Sequence, residues 1–236
     1  SRRQRQMCIR DRNLFSQADL VLILSEQWRQ WIKETLGLSK HIKVLYNPCP
    51  VVNRLDLERK KQILFAGTII PRKGYDVLLE GFSKIAIDYP DWKVVFAGNG
   101  EIERAKQIAE KLGILSQVEF LGWISGIRKE TIFQESSIYC LASDGEGFPM
   151  GVLDAWAYGI PCVVTPVGGI PDIIEDGING LIFPVGDSDR LAVQLNKLMN
   201  DKELGKAIVA ESDKYVNGLF NIDIINNQLA EIYSNL

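Results

Sequence analysis

From residue 62 onward, short apolar runs alternate with longer stretches whose apolar positions recur every three or four residues. The runs predict strands at 62–66, 93–97, 117–121, 137–142, 161–165 and 179–183. The longer stretches predict helices at about 74–88, 101–112, 127–134, 150–158 and 187–200. Strand and helix in strict alternation imply an α/β fold with a parallel sheet covered on both faces, a doubly wound Rossmann-like arrangement. Every loop that leaves a strand then lies on one rim, where such sheets bind their ligands. After Asp201 two more helices are expected, the last carrying Phe220, Ile224, Ile225, Leu229, Ile232 and Tyr233 as an apolar stripe.

Upstream, the pattern predicts a short strand at 19–24, Ser25 as N-cap and a helix at 26–36 stopped by Gly37. Trp28, Trp31, Ile32, Thr35 and Leu36 fall on or near one helix face. A second strand at 42–46 runs into Asn47-Pro48-Cys49-Pro50, which cannot continue a strand interior. A lone strand-helix-strand piece leaves an unpaired edge and exposed apolar surface. The division expected is a leader at 1–12, a partial domain and linker at 13–50, the main sheet domain at 51–218 and a C-terminal helix at 219–236.

The chain has 236 residues, 46% hydrophobic and 24% charged, enough for a real core. Residues 1–12 carry five arginines and one aspartate, a local +4, so the rest of the chain accounts for −7 of the net −3. An acidic body argues against a nucleic-acid partner, and the leader reads as a fusion or sequencing scar. No apolar run approaches the length of a membrane span, and no secretory signal is present. Cys8, Cys49, Cys140 and Cys162 show no metal-binding spacing and read as free thiols of a reducing compartment. The single histidine, His41, has no partner motif and reads as a surface or structural residue.

The candidate chemistry lies in the rim loops. Ser143-Asp144-Gly145-Glu146-Gly147-Phe148-Pro149-Met150 reads as strand end, loop and helix start, with Asp154 about a turn inside. The free amides and dipole at that helix mouth suit a diphosphate, and the flanking acids Glu146 and Asp154 suit hydroxyls on either side of it. Gly67-Thr68-Ile69-Ile70-Pro71-Arg72-Lys73-Gly74 offers the cations Arg72 and Lys73 to a leaving group that gains negative charge. Gly98-Asn99-Gly100 permits close approach of a ligand to backbone or is a plain tight turn. As a dinucleotide fingerprint it fails, because Glu103 stands where the third glycine belongs. Trp123 and Ile124, after Phe120-Leu121-Gly122, are either part of a base site or core.

Glu146, seven residues, then Asp154 resembles the E-x7-E signature of family 4 glycosyltransferases, retaining enzymes of the GT-B fold. Gly168-Gly169-Ile170-Pro171 and Asp176-Gly177-Ile178-Asn179-Gly180-Leu181 extend the resemblance, which covers roughly residues 62–187. It implies that a sugar passes from a nucleoside diphosphate to an acceptor hydroxyl with retention, in bacterial-type polysaccharide or glycolipid synthesis. Glu146 and Lys73 are then the catalytic residues. The donor is held by Gly67, Thr68, Arg72, Gly98, Gly100, Trp123, Ile124, Gly147, Phe148, Pro149, Met150 and Asp154. Two positions depart from the family: Thr68 replaces an arginine, and Asp154 is a methylene shorter than the usual glutamate. No metal or other cofactor is expected, the nucleotide sugar being the substrate.

By the same resemblance the main domain binds the donor, and residues 13–50 end an acceptor domain that is mostly absent. The chain alone is then a weak nucleotide binder with little turnover. A cytoplasmic location follows, with peripheral contact at the inner face of a membrane left open through the missing domain. Two alternatives share the donor site: a GT-B sugar-nucleotide epimerase and a nucleotide-binding module without turnover. A nicotinamide oxidoreductase shares the sheet but not its glycine fingerprint.

Overall fold

The computed structural model describes residues 14–37 and 41–236. The basic leader, with Cys8, lies outside the described residues. Two sheets are present among them, one of two strands and one of six. The larger comprises β3 (Lys60–Ala66), β4 (Lys93–Ala97), β5 (Val118–Gly122), β6 (Ser136–Leu141), β7 (Cys162–Val164) and β8 (Leu181–Ile182). Its order is β5-β4-β3-β6-β7-β8, and every pairing is parallel. The connections reverse direction between β3 and β6, which opens a crevice beyond their carboxyl ends.

Alternation along each strand feeds two cores. Ile63, Phe65, Val94, Phe96, Ile138, Cys140 and Val163 face one side with Tyr75, Leu78 and Leu79 of α2 (Tyr75–Ser83), Ala105 and Ala109 of α3 (Ile102–Lys111), and Leu191 and Leu195 of α7 (Ser188–Asn200). Leu64, Ala97, Tyr139, Leu141, Cys162 and Val164 face the other. There they meet Phe133 of α4 (Gly126–Glu135), Val152, Leu153 and Trp156 of α5 (Met150–Ala157), and Ile170 and Ile173 of the short α6 (Ile170–Ile173). The helix α8 (Lys202–Asn217) packs on α5 and α7.

The expected elements form, with corrections at their ends. The helix expected to run to residue 88 stops at Ser83, because the following turns close with i→i+3 bonds such as Ile85 N–H to the Phe82 carbonyl, 3.0 Å. The last strand is shortened because Asn179 is buried in the preceding turn. Its amide donates to the Ile173 carbonyl at 2.8 Å, and its side-chain oxygen accepts from Glu175 N–H at 2.8 Å. The last helix, α9 (Ile222–Ser234), buries Ile225 and Ile232 but leaves Ile224 and Tyr233 exposed, while Phe220 packs before the helix begins.

The smaller sheet pairs β1 (Val21–Ile23) with β2 (Ile42–Val44) in parallel under α1 (Glu26–Leu36). Ser25 caps α1 by accepting from Trp28 N–H, and Gly37 ends it in the left-handed conformation. Ile32 and Leu36 are buried, while Trp28 and Trp31 remain partly exposed. This piece touches the larger unit near the rim. Trp28 Nε1 donates to the Gly147 carbonyl at 3.3 Å, and Glu26 N–H donates to Asp172 Oδ2 at 2.6 Å. Among the described residues no helix is long and apolar enough to cross a membrane.

Candidate active site

The loops after β3 and β6 meet at the crevice where the strand order reverses. Lys73 closes the first loop in a 3-10 turn, and the next residue, Gly74, is left-handed and starts α2. A side chain at Gly74 would strike the Ala142 carbonyl, a Cβ lying 2.0 Å from its oxygen, so glycine is what lets the two loops close. Across the crevice Lys73 Nζ contacts Glu146 Oε1 at 2.5 Å. The same oxygen accepts from the Ser143 hydroxyl at 2.6 Å, while Thr165 Oγ1 donates to the Ser143 carbonyl at 2.5 Å. Glu146 is thus fixed from two sides, its side chain only 7% exposed.

Four residues after Glu146 the helix α5 begins. Pro149 is its N-cap rather than its first helical residue and has no N–H to leave free. The Met150 amide is bonded to the Phe148 carbonyl at 3.0 Å. Within the described residues, the donors left without an acceptor at the mouth are the amides of Gly147, Phe148 and Gly151. Lys73, in contact with Glu146, adds a cation to the dipole of this helix mouth. The far end of α5 is held by two arginines. Arg54 donates to the Trp156 and Ala157 carbonyls at 2.6 and 2.7 Å, and Arg59 reaches the Tyr158 carbonyl at 2.6 Å and the Ser136 carbonyl at 2.7 Å. These guanidinia cap carbonyls that a helix end leaves unpaired.

The remaining predicted residues divide. Gly67 and Gly98 abut backbone to backbone, a Cβ on Gly98 falling 1.8 Å from the Gly67 carbonyl oxygen. Gly100 likewise crosses Ile69, and exposed Thr68 lies between these contacts. Arg72 is not a free cation: its guanidinium donates to the Gly145 carbonyl, and its own carbonyl accepts from Asp144 N–H at 2.9 Å. It shapes the Glu146 loop while keeping its charge and its remaining N–H donors. Trp123 is 73% exposed, which excludes the core reading, and its backbone N–H donates to Asn99 Oδ1 at 2.9 Å. Ile124 is half-buried beside the second core. Phe148 turns its ring away from the rim, packing on Tyr46 and Phe220 at centroid distances of 5.6 and 6.1 Å. Met150 is partly exposed, with the Asn47 amide on its sulfur at 3.1 Å. Asp154 pairs with Lys129 of α4 at 2.8 Å.

Sequence reasoning missed Ser143, Thr165 and Lys129. Only Ser143 left a signal, a hydroxyl at the strand end three residues before Glu146. Cys49, Cys140 and Cys162 are buried free thiols, as expected. Among the described residues no group of three or more His, Cys, Asp or Glu side chains is placed to hold a metal ion.

A family model described as glycosyl transferases group 1 matches residues 53–215, and the chain belongs to that family. An exopolysaccharide phosphotransferase of Streptomyces coelicolor is 30% identical over 223 residues, 92% of this chain and 23% of that protein. The N-acetyl-alpha-D-glucosaminyl L-malate synthase of Bacillus anthracis is 28% identical over 230 residues, 92% of this chain and 60% of that protein. The chain therefore spans less than two thirds of the length of these relatives. Among solved structures, the Anabaena protein HepE in complex with UDP and glucose superposes with a TM-score of 0.87 at 21% identity, over 97% of this chain and 67% of that one. That likeness establishes the GT-B fold.

Proposed function

We propose that the chain is the donor-binding part of a retaining, family 4 glycosyltransferase that moves a sugar from a nucleoside diphosphate to an acceptor hydroxyl. The observation that carries this reading is the contact of Lys73 Nζ with Glu146 Oε1 beside the open amides of α5, at the crevice where the sheet reverses. A diphosphate seated there takes Lys73 as its counter-ion, and the α5 amides receive the oxygens that gain charge as the glycosidic bond breaks. Glu146, freed from Lys73 but still held by Ser143, accepts from the sugar hydroxyls and orients the ring. The acceptor oxygen enters on the face the diphosphate leaves, and the departing phosphate takes its proton. Asp154 receives the ribose, and Trp123 offers an exposed ring to the base.

Residues 51–218 form the donor domain in this reading, with the helix at 219–236 appended to it. The β1-α1-β2 piece within 13–50 ends an acceptor domain that the rest of the protein supplies. The protein acts in polysaccharide or glycolipid synthesis, a reading that the exopolysaccharide relative's name supports; it does so in the cytoplasm, and any contact with the membrane face runs through that domain. The test is calorimetric titration of the chain with UDP, GDP and ADP and their sugars. One nucleoside diphosphate binding weakly but selectively, with loss of binding in Lys73→Met, supports the reading. No binding by any of the three refutes it.

A further inference from the structure

The acid expected to hold ribose is a methylene short, and a cation from another helix stands against it. Lys129 lies in the first turn of α4 and Asp154 in the second turn of α5, helices that both start at the rim. Lys129 Nζ sits 2.8 Å from Asp154 Oδ2 and 5.5 Å from the centroid of Phe133. Burial pushes the Cys49 thiol up to about 12, and the nearby Asp154 charge adds to the rise. Burial likewise leads the upward shifts of Tyr139 and Tyr158, with Asp154 contributing to both. Lys129 is the ion-pair partner of Asp154 within the described residues.

We infer that Lys129 and Asp154 act as one two-part clamp for the vicinal hydroxyls of the nucleoside, so that Lys129 is a specificity-determining residue of the donor site. An ammonium has three N–H donors. One is spent on Oδ2 and one is turned to the Phe133 face, which leaves one for a ligand oxygen. Asp154 Oδ1 remains to accept from a neighbouring hydroxyl. One donor beside one acceptor matches a diol in which one hydroxyl accepts and the next donates. The lysine also fills the gap left by the shorter acid, and the carboxylate it braces is only 20% exposed. The inference rests on the donor-site reading above.

The experiment measures binding of the preferred nucleoside diphosphate, its 2′-deoxy form and inorganic pyrophosphate to the wild-type chain, Lys129→Met and Lys129→Arg. A hydrogen bond to a charged group sets the scale, so the wild type should prefer the ribose form by about tenfold. Lys129→Met should bring that preference to within about twofold while pyrophosphate affinity holds, and Lys129→Arg should keep most of the preference. Lys129→Leu, which also lacks a donor, repeats the test should the methionine variant fold poorly. An unchanged ribose preference in a folded variant overturns the inference alone. So does an equal loss of pyrophosphate, which makes Lys129 a phosphate cation. A wild-type chain that binds none of the nucleotides removes the donor-site reading and the clamp together.

Discussion

Removing one member of the Lys73–Glu146 pair strands the other, and the structure says which loss is worse. The Glu146 side chain is 7% exposed and that of Lys73 is 20% exposed. In Lys73→Met the carboxylate keeps only the Ser143 hydroxyl, at 2.6 Å. Breaking a buried ion pair from one side costs about 3–5 kcal/mol, and the partial access of water on the lysine side puts this case near about 3. For a chain of this size each kcal/mol moves the unfolding midpoint by about 2–4 °C, so Lys73→Met should unfold about 6–12 °C early. Glu146→Gln should lose less, about 1 kcal/mol, because a lysine left alone turns its amine to solvent. The double variant then has no stranded charge, and its loss should fall short of the sum of the singles by about 1–2 kcal/mol. Urea unfolding of the four proteins without ligand, followed by tryptophan fluorescence, measures the cycle. Strict additivity, or a Lys73→Met protein as stable as the wild type, refutes the picture of a desolvated pair.

Gly168 has φ +58°, and a Cβ there would lie 2.3 Å from the Glu146 carbonyl oxygen. Gly168→Ala should therefore cost about 1–3 kcal/mol of stability and weaken pyrophosphate binding by displacing the Glu146 loop; normal stability with normal binding contradicts this. Trp123→Ala should leave stability within about 0.5 kcal/mol, since the ring is exposed. It should nevertheless weaken a nucleoside diphosphate about tenfold relative to pyrophosphate, the scale of one base–aromatic stack. Cys49 makes stability fall with alkaline pH. Its folded thiol is raised from 9.0 to about 12, so above pH 9 the unfolded chain binds fewer protons and is favoured progressively. Urea midpoints measured from pH 8 to 11 should decline, and Cys49→Ala should decline less steeply.

The fold was legible because its signals are local. Alternating apolar positions, Ser25 at a helix start and Gly37 at its end each act over a few residues. Strand polarity puts the loops after β3 and β6 on one rim, and the motifs within those loops mark Lys73 and Glu146, which meet although 73 residues apart in sequence. What stayed hidden depends on packing between helices. Lys129 reaches Asp154 because α4 and α5 cover the same face of the sheet, and nothing in the pattern around residue 129 marks that contact. Phe148 sits inside the strongest motif, yet its ring serves the core, because Tyr46 and Phe220 arrive from distant stretches to cover it. Arg72 adds a contact the pattern does not show, its exposed guanidinium bracing the loop through the Gly145 carbonyl.

A crystal structure of the chain with its preferred nucleoside diphosphate bound shows whether Lys73 and the mouth of α5 hold the diphosphate. The diphosphate should lie within hydrogen-bonding distance of Lys73 Nζ and of the Phe148 or Gly151 amide at the mouth of α5, with Lys73 released from Glu146. A nucleotide bound elsewhere on the sheet, with the Lys73–Glu146 contact intact, contradicts it.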